Sequence, residues 1–284
     1  MGIQVKNIFY TYQKKATNAT LALNNVSFEI KDNDFIAIVG ETGSGKSTLA
    51  QTFNALIVPD KGEVVVGDYV VNYKNRKSRK LRGIRQRIGL VFQFPEYQLF
   101  EESVEKDVAF GVKNFGVKNE EALQRAHEAL AKVGLDESYY SRAPFDLSGG
   151  EKRKVAIAGI LAINPDILIF DEPTAGFDPQ SSKDLMKLIC EFYAQGKTII
   201  VITHDMDLVN TYAQRVVLLE RGELAFDGTP SELFSFIQGY DRLDIPTVIK
   251  VANALKEKGM EIDTKQIHGI DDLMKAIKKW RNKA

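Results

Sequence analysis

The sequence has little cysteine, no excess of either charge and no long apolar run, and each shortage excludes a class of protein. Cys190 is the single cysteine among 284 residues, which excludes an internal disulfide and is typical of the cytosol. Lys plus Arg equal Asp plus Glu at 38 each, so the net charge does not indicate nucleic acid as a partner. The longest apolar stretch, VAIAGILAINPDILIF, is broken by Asn164, Pro165 and Asp166 before it reaches the ~18 residues of a membrane span. No charged segment followed by an apolar one opens the chain, and we expect no signal peptide.

Hydrophobic patterning predicts an α/β fold. Apolar and polar residues alternate over residues 3–30, which predicts antiparallel strands, and GEVVVGDYVVNY predicts a strand pair that turns at Gly67 and Asp68. Glu- and Ala-rich segments over residues 101–133 predict helices. Strands and a helix then alternate as in a parallel sheet: a strand at DILIF, a helix over residues 181–193 and a strand at KTIIVIT. The core is therefore expected to be a nucleotide-binding type of α/β sheet with a helical insert.

Beyond residue 232 the strand signals stop, and apolar residues recur at helical spacing. We expect a small helical appendage there, with an apolar face made by Val248, Val251 and Leu255 in one helix and Ile270, Leu273, Ile277 and Trp280 in the next.

A basic segment, KNRKSRKLRGIRQR, carries eight basic residues and no acid. A solvated surface fits it, and so does a surface for anionic lipid headgroups or for an acidic partner. Both interpretations stay open, and we expect no nucleic-acid partner.

The stretch GETGSGKST, residues 40–48, follows the apolar run Phe35–Val39 and is called the phosphate loop below. A strand that ends in a Gly-rich turn and restarts as a helix aims backbone N–H groups at one point, where they hold an anion. The spacing GxxxxGK(S/T) places Lys46 to reach the β- and γ-phosphates and the Ser47 hydroxyl to ligate Mg²⁺. The loop therefore predicts a nucleotide site.

Two further segments carry chemistry. ILIFDEP reads as a buried strand that delivers Asp171 to the Mg²⁺ shell and Glu172 to the attacking water. LSGGE, residues 147–151, is called the signature segment below; it precedes a helical stretch and presents backbone N–H groups at a second anion site.

With these motifs in this order, the chain resembles the ATP-binding cassette (ABC) ATPases up to about residue 230. Residues 40–48 resemble the Walker A motif, ILIFDEP the Walker B motif, and LSGGE the ABC signature. Gln93 in LVFQFPE resembles the Q-loop glutamine, Asp178 in AGFD the D-loop aspartate, and His204 in VITHD the switch histidine. Tyr12 matches the aromatic residue that stacks on adenine, with Tyr10 as its alternative.

The resemblance implies a P-loop NTPase fold, with a RecA-like parallel sheet, an antiparallel β subdomain and a helical subdomain at about 95–165. It implies an ABC nucleotide-binding domain over residues 1–230 and a C-terminal helical region over residues 231–284. The ATP-binding residues it implies are Tyr12, Gly40, Glu41, Thr42, Gly43, Ser44, Gly45, Lys46, Ser47, Thr48 and Gln93. The Mg²⁺ site it implies is formed by Ser47, Gln93 and Asp171, with Glu172 and His204 as catalytic residues.

The signature segment is expected to bind the ATP of a partner subunit through Ser148, Gly149, Gly150 and Glu151. Glu151 stands where the family usually has glutamine. The two side chains are close in size, so we expect function to be retained, although a carboxylate near a phosphate site weakens anion binding.

Finer details resemble the ATPases of energy-coupling factor (ECF) importers for vitamins and metal ions. FQFPEYQLFEE is similar to the second of the two paired ATPases. The resemblance implies a head-to-tail pair with a second ATPase, a membrane scaffold subunit and a substrate-binding membrane subunit, at the cytoplasmic face of the cell membrane. Phe94, Tyr97, Leu99 and Phe100 would receive a partner helix; the core of the helical subdomain is the alternative for them.

Two alternatives belong to other classes of protein, and a third lies within the same family. A soluble ABC ATPase that acts on DNA or ribosomes would need a coiled-coil insert or a second cassette, and the sequence has neither. A small-molecule P-loop kinase would not need LSGG or the Gln93 loop. An ATPase of another ABC transporter class remains the alternative within the family.

Overall fold

Strands from separated parts of the chain form two sheets in the computed structural model, which describes residues 2–14, 17, 19–75, 81–237 and 243–281. The strands are β1 (Ile3–Tyr12), β2 (Thr20–Ile30), β3 (Phe35–Val39), β4 (Lys61–Val66), β5 (Tyr69–Val71), β6 (Ile88–Val91), β7 (Ile167–Asp171), β8 (Thr198–Ile202), β9 (Arg215–Glu220) and β10 (Glu223–Gly228).

The larger sheet is the predicted parallel sheet. Among the described residues its order is β10-β9-β3-β8-β7-β6, with β10 antiparallel to β9 and the other pairs parallel. Every residue of β3, β7 and β8 is buried, as expected for strands covered on both faces. Because the strands are parallel, the segments after β3, β8, β7 and β6 all begin at one edge of the sheet. The α/β prediction is confirmed.

The smaller sheet is antiparallel and has the order β2-β1-β4-β5 in the described part of the chain. β4 and β5 are joined by the predicted turn, where Gly67 has φ 53°. This sheet shares a core with one face of the larger sheet, through side chains such as Ile3, Val26 and Phe53.

The helices are α1 (Lys46–Phe53), α2 (Leu81–Arg87), α3 (Val104–Asn114), α4 (Asn119–Lys132), α5 (Gly149–Ala162), α6 (Pro179–Ala194), α7 (Met206–Tyr212), α8 (Pro230–Phe236), α9 (Thr247–Glu257) and α10 (Ile270–Arg281). α3, α4 and α5 pack on one another and share a second core with the other face of the larger sheet. The domain limits given above stay predictions.

The C-terminal helices form their own small core, with Ile249, Ala252 and Leu273 buried. The predicted face of α9 was wrong in part: Val251 is 43% exposed, and its neighbour Ala252 is buried instead. The apolar face of the helix is therefore centred one position away from the 248, 251, 255 series. The side-chain amide of Asn210 on α7 donates to the carbonyl oxygen of Ile267 at 2.9 Å, which ties this region to the cassette.

The predictions for the basic segment fall partly on residues 76–80, which lie outside the described residues. At its end, Arg87 forms an ion pair with Asp166 at 2.8 Å, and Arg85 donates to the carbonyl oxygen of Ala55 at 3.1 Å. None of the helices in the described part of the chain combines the length and apolar character that a bilayer crossing requires.

Candidate functional site

Two glycines shape the phosphate loop between β3 and α1. Gly40 has φ 144°, and a Cβ there would lie 2.2 Å from the carbonyl oxygen of Leu219. Gly45 caps α1 with φ 103°, and a Cβ there would lie 2.4 Å from the carbonyl oxygen of Ala22. Side chains are excluded at both positions, so the loop keeps the tight turn in which N–H groups at a helix start bind phosphate.

Lys46 lies within this loop. Its Nζ donates to the carbonyl oxygen of Gly40 at 2.7 Å and to that of Glu41 at 2.8 Å. Burial lowers the pKa of the Lys46 amine, while the charges of Glu172 and Asp171 act in the opposite sense. The side chain therefore lies between the loop and the two acids that end β7, where its charge can balance that of a phosphate.

Ser47 and Asp171 meet at the same edge of the sheet. Asp171 is buried, and burial raises its pKa; a hydrogen bond from the Ser47 side chain opposes this effect. A hydroxyl and a carboxylate suit Mg²⁺, which takes few protein ligands and keeps water and phosphate oxygens. Within the described ranges, no three His, Cys, Asp or Glu side chains are grouped to hold a metal ion.

Glu172 and His204 lie in direct contact, at the ends of neighbouring strands β7 and β8. His204 Nδ1 and Glu172 Oε1 are 2.8 Å apart, and the Thr203 hydroxyl donates to Glu172 Oε2 at 3.4 Å. Because a carboxylate only accepts hydrogen bonds, Nδ1 carries the proton in this pair. The histidine side chain is 77% exposed and that of the glutamate 14%, so the pair faces solvent through the imidazole.

The backbone of Glu172 is strained. Its φ is 49°, a left-handed conformation that costs a non-glycine residue about 1–3 kcal/mol. Its N–H donates to the carbonyl oxygen of Ile202 at 2.8 Å, and its carbonyl oxygen accepts from Arg153 Nη2 at 3.2 Å. Such strain persists where the surroundings hold it, and it is typical of functional positions.

Gln93 and Tyr12 lie at the margins of this group. Gln93 is exposed just after β6, the strand beside β7. The Tyr12 hydroxyl lies 3.1 Å from Thr48 Oγ1, directly beside the phosphate loop, and the Tyr12 ring is 38% exposed. Tyr10 meets that ring edge to face at 4.8 Å and packs against the core shared by the two sheets, so Tyr12 is the more accessible of the two.

Ser148, Gly149 and Gly150 of the signature segment lie at the start of α5 and are exposed, whereas Leu147 is buried. Ser148 caps the helix, and a Cβ on Gly149 or Gly150 would meet nothing within 4 Å. Glu151 Oε2 accepts from the Ser148 N–H at 2.8 Å and from its hydroxyl at 2.7 Å. Tyr139, a residue that sequence reasoning missed, donates its hydroxyl to Glu151 Oε1 at 2.8 Å. The glutamate that departs from the family pattern therefore binds the hydroxyl of the signature serine.

These hydrogen bonds predict a pH dependence. The Ser148 side chain, its N–H and the Tyr139 hydroxyl lower the pKa of Glu151 from 4.5 to about 2. A carboxyl group whose pKa is lower in the folded state than in the unfolded state stabilises the fold at pH values above its unfolded pKa. This contribution is lost as the pH falls through the folded pKa. We expect the difference in unfolding free energy between wild type and Glu151→Gln to be constant above about pH 5.5 and to shrink between pH 4.5 and about 2. Urea titrations of both proteins at several pH values measure this difference in unfolding free energy. A difference that does not change with pH would contradict the prediction.

Asp178 begins α6, at the end of the segment that follows Glu172. Its Oδ1 accepts from the N–H groups of Gln180 at 2.9 Å and Ser181 at 3.0 Å. Its hydrogen bonds with Ser181 lower the pKa of Asp178, which therefore stays ionised as a helix cap.

Arg153 is a further residue that sequence reasoning missed. It is 4% exposed on α5 and lies between the signature segment and the segment after Glu172. It stands in the charged run EKRKV, which is typical of a helix face exposed to solvent. The neighbouring residues therefore give no indication that Arg153 is buried.

Comparison with known proteins identifies the family of this chain. The family described as "ABC transporter" matches residues 23–175. The curated relatives include the energy-coupling factor transporter ATP-binding protein EcfA2 of Streptococcus agalactiae serotype Ia, 45% identical over 98% of this chain and 99% of the relative. The EcfA2 protein of Streptococcus thermophilus LMD-9 is 47% identical over 93% of this chain and 95% of the relative.

Solved structures agree as well. Clostridium perfringens cbiO1, described as part of the ABC transporter complex cbiONQ, has a TM-score of 0.72 and 35% identity over 90% of this chain and 96% of its own. The ATP-binding cassette MJ0796, solved as a dimer with ADP and Pi, has a TM-score of 0.72 and 32% identity over 80% of this chain and 98% of its own. This chain therefore belongs to the ABC transporter ATPases and, among them, to the energy-coupling factor transporter ATP-binding proteins.

Proposed function

We propose that this chain is the ATP-binding and ATP-hydrolysing subunit of an energy-coupling factor importer, which takes up a vitamin or another micronutrient through membrane partners. The observation that carries the proposal is the match over nearly the whole chain to energy-coupling factor ATP-binding proteins. The juxtaposition of Lys46, Asp171, Glu172 and His204 at one sheet edge supports it, because open α/β sheets bind ligands at that edge.

The nucleotide binds to the phosphate loop, with Lys46 on the terminal phosphates and the Tyr12 ring beside adenine. Ser47 and Asp171 would hold the magnesium ion, and the exposed Gln93 would complete its surroundings. The ion supplies positive charge that offsets the charge of the transferring phosphoryl group.

The attacking water is oriented by Glu172. An oxygen of this carboxylate accepts a hydrogen bond from the water and so holds it in line with the phosphate. His204 fixes the carboxylate through its Nδ1 proton, and its side chain is 77% exposed at the same edge of the sheet. As the water attacks, its proton moves toward Glu172.

The partner ATPase completes each site. Ser148, Gly149 and Gly150 are exposed, and the signature segment is expected to close on the nucleotide of a second, homologous ATPase in head-to-tail orientation. The MJ0796 cassette was solved as a dimer with ADP and Pi, which supports pairing with a second ATPase.

The docking loop, residues 93–100, is proposed to contact the membrane scaffold subunit at the cytoplasmic face of the membrane. Phe94 is 41%, Tyr97 85% and Phe100 56% exposed. Leu99 differs: it is 8% exposed and belongs to the core of the helices, so the core interpretation is correct for this residue. The side chains of the other three residues are aromatic, and they offer an apolar surface to a partner.

We expect Tyr97→Asp to uncouple ATP hydrolysis from uptake while ATP binding is retained, because a charge in an apolar contact must be desolvated on docking. Uptake and nucleotide binding are measured side by side in reconstituted vesicles. Tyr73→Asp, at another exposed aromatic residue (52%), is the matched control and is expected to transport normally. Normal uptake by the Tyr97 variant would show that this surface is not the docking site.

Co-purification tests the proposal as a whole. The tagged chain is extracted from membranes with mild detergent, and its partners are identified by mass spectrometry. We expect a second ATPase and at least two membrane subunits, and ATP turnover by the purified complex. Recovery of the chain alone, or with soluble proteins only, would overturn the proposal. The substrate follows from the identity of the membrane subunit that co-purifies.

A further inference from the structure

Arg153 is a buried cation that binds two backbone carbonyl groups beside the catalytic glutamate. Its Nη1 donates to the carbonyl oxygen of Ala175 at 2.5 Å, and its Nη2 donates to that of Glu172 at 3.2 Å. A guanidinium group presents its donors in a rigid planar fork, so both contacts are set at once by one side chain. The segment from Glu172 to Ala175 is thereby fixed against α5.

Two other side chains act on the same guanidinium. It lies over the ring of Phe177 at 4.5 Å, in the segment that leads to Asp178. The carboxylate of Glu96, in the docking loop, offsets the lowering of the Arg153 pKa by burial. Glu96 Oε2 is itself buried, and among the described residues it has no hydrogen-bond partner. Arg153 therefore joins the signature helix α5 to the segment after β7, and the charge of Glu96 in the docking loop acts on it.

Arg153 also lies close to the signature segment. It is five residues after Ser148 on the same helix, which corresponds to a rise of about 7.5 Å. A helix is stiff over this length, so a displacement of the signature segment on closure carries the guanidinium with it. The atom that receives that displacement is the carbonyl oxygen of Glu172, whose φ of 49° is held by its surroundings.

We propose that Arg153 is a positioning residue that sets the carboxylate of Glu172 according to the position of the signature helix. The inference rests on the proposed ATPase function and extends it: the signature segment serves the partner's nucleotide, and Arg153 links it to the hydrolytic glutamate of its own chain. When the signature segment engages the ATP of the partner subunit, Arg153 thereby orients Glu172, which hydrolyses the ATP bound by its own chain.

Arg153→Met tests the link in the assembled transporter, because methionine fills much of the volume without donating hydrogen bonds. We expect kcat to fall roughly tenfold or more, since a misplacement of ~1 Å at a reacting group costs up to about 10²-fold. The Kd for ATP is expected to change by less than about twofold, because the phosphate loop is untouched. Arg153→Lys keeps the charge but loses the fork, so it is expected to regain stability while kcat stays well below wild type.

Arg215→Met is the matched control for the loss of a structural arginine. Arg215 binds Asp227 at 2.7 Å and the carbonyl oxygen of Glu29 at 2.7 Å, at the start of β9 and so at the opposite edge of the sheet. At equal folded fraction, we expect its kcat to equal that of wild type. Equal kcat losses in the Arg153 and Arg215 variants would overturn the proposal, as would wild-type kcat in Arg153→Met or Arg153→Lys.

A double-mutant cycle supplies the readout that a merely structural role would not move. If Arg153 acts through Glu172, then Arg153→Met in a Glu172→Gln background reduces the residual turnover by less than about twofold, because the group it positions is already disabled. A full additional loss would overturn the proposal. Absence of ATP turnover in the wild-type complex would instead overturn the proposed function, so the two failures are distinguishable.

Discussion

Glu172→Gln is expected to retain ATP binding and to slow hydrolysis by roughly 10²-fold or more, as for the loss of a positioned base. Glutamine preserves the shape of the side chain: its carbonyl oxygen can still accept from His204 Nδ1, and its amide group can donate to the Thr203 hydroxyl oxygen. The amide cannot take a proton from the attacking water. Single-turnover hydrolysis by the intact complex, together with a binding isotherm for ATP, measures the two quantities separately.

Glu191→Gln is the matched control for this substitution. Glu191 is exposed on α6, and its change to glutamine removes the same charge away from the site. We expect turnover at the wild-type rate. Near-normal turnover in the Glu172 variant itself would show that another group orients the water, and the contact with His204 would then be structural.

The phosphate loop and the ends of β3, β7 and β8 could be predicted from sequence because their signals are local. Five buried apolar residues followed by glycines at fixed spacing specify strand, turn and helix within about fifteen residues. The parallel sheet then brings the three strand ends to one edge without further information. Sequence order alone therefore predicts that Lys46, Asp171 and His204 are neighbours.

The role of Arg153 could not be predicted, because its partners are 19 and 22 residues away and are backbone atoms. Backbone carbonyl groups leave no trace in the sequence. The left-handed φ of Glu172 was missed for the same reason, since a glutamate gives no local signal for it. The bond from Tyr139 to Glu151 depends likewise on how the turn before α5 packs.

The docking loop shows a different limit. Its aromatic and aliphatic residues could be found from composition, but two interpretations were left open for all four. The structure separates them by orientation: Leu99 points into the helical core, and Tyr97 is 85% exposed. In a short irregular segment no period of 2 or 3.6 relates neighbouring side chains, so the sequence cannot assign a face to each residue.

Ser148→Arg is expected to abolish hydrolysis at the partner's site while ATP still binds to Lys46 of the altered chain. In a head-to-tail pair each nucleotide lies between the phosphate loop of one subunit and the signature segment of the other. Ser148 is exposed, so arginine can be placed there without disturbing the core of either sheet. Its bulk blocks the close approach of Gly149 and Gly150 to the partner's phosphates, and ATP then no longer favours the closed pair through its higher affinity for that state.

The measurement combines the altered chain with a partner whose own signature is intact, and follows nucleotide occupancy and turnover at each site. Because Ser148 also caps α5, part of any loss could arise from folding, at about 0.5–2 kcal/mol for a lost cap. Thr229→Arg is the matched control, since Thr229 caps α8 through the same reciprocal bonds with a glutamate three residues on. We expect that control to hydrolyse ATP normally at both sites. Loss of ATP from the altered chain's own phosphate loop, with the partner's site unaffected, would mean that each subunit closes on its own nucleotide and that the head-to-tail pair is wrong.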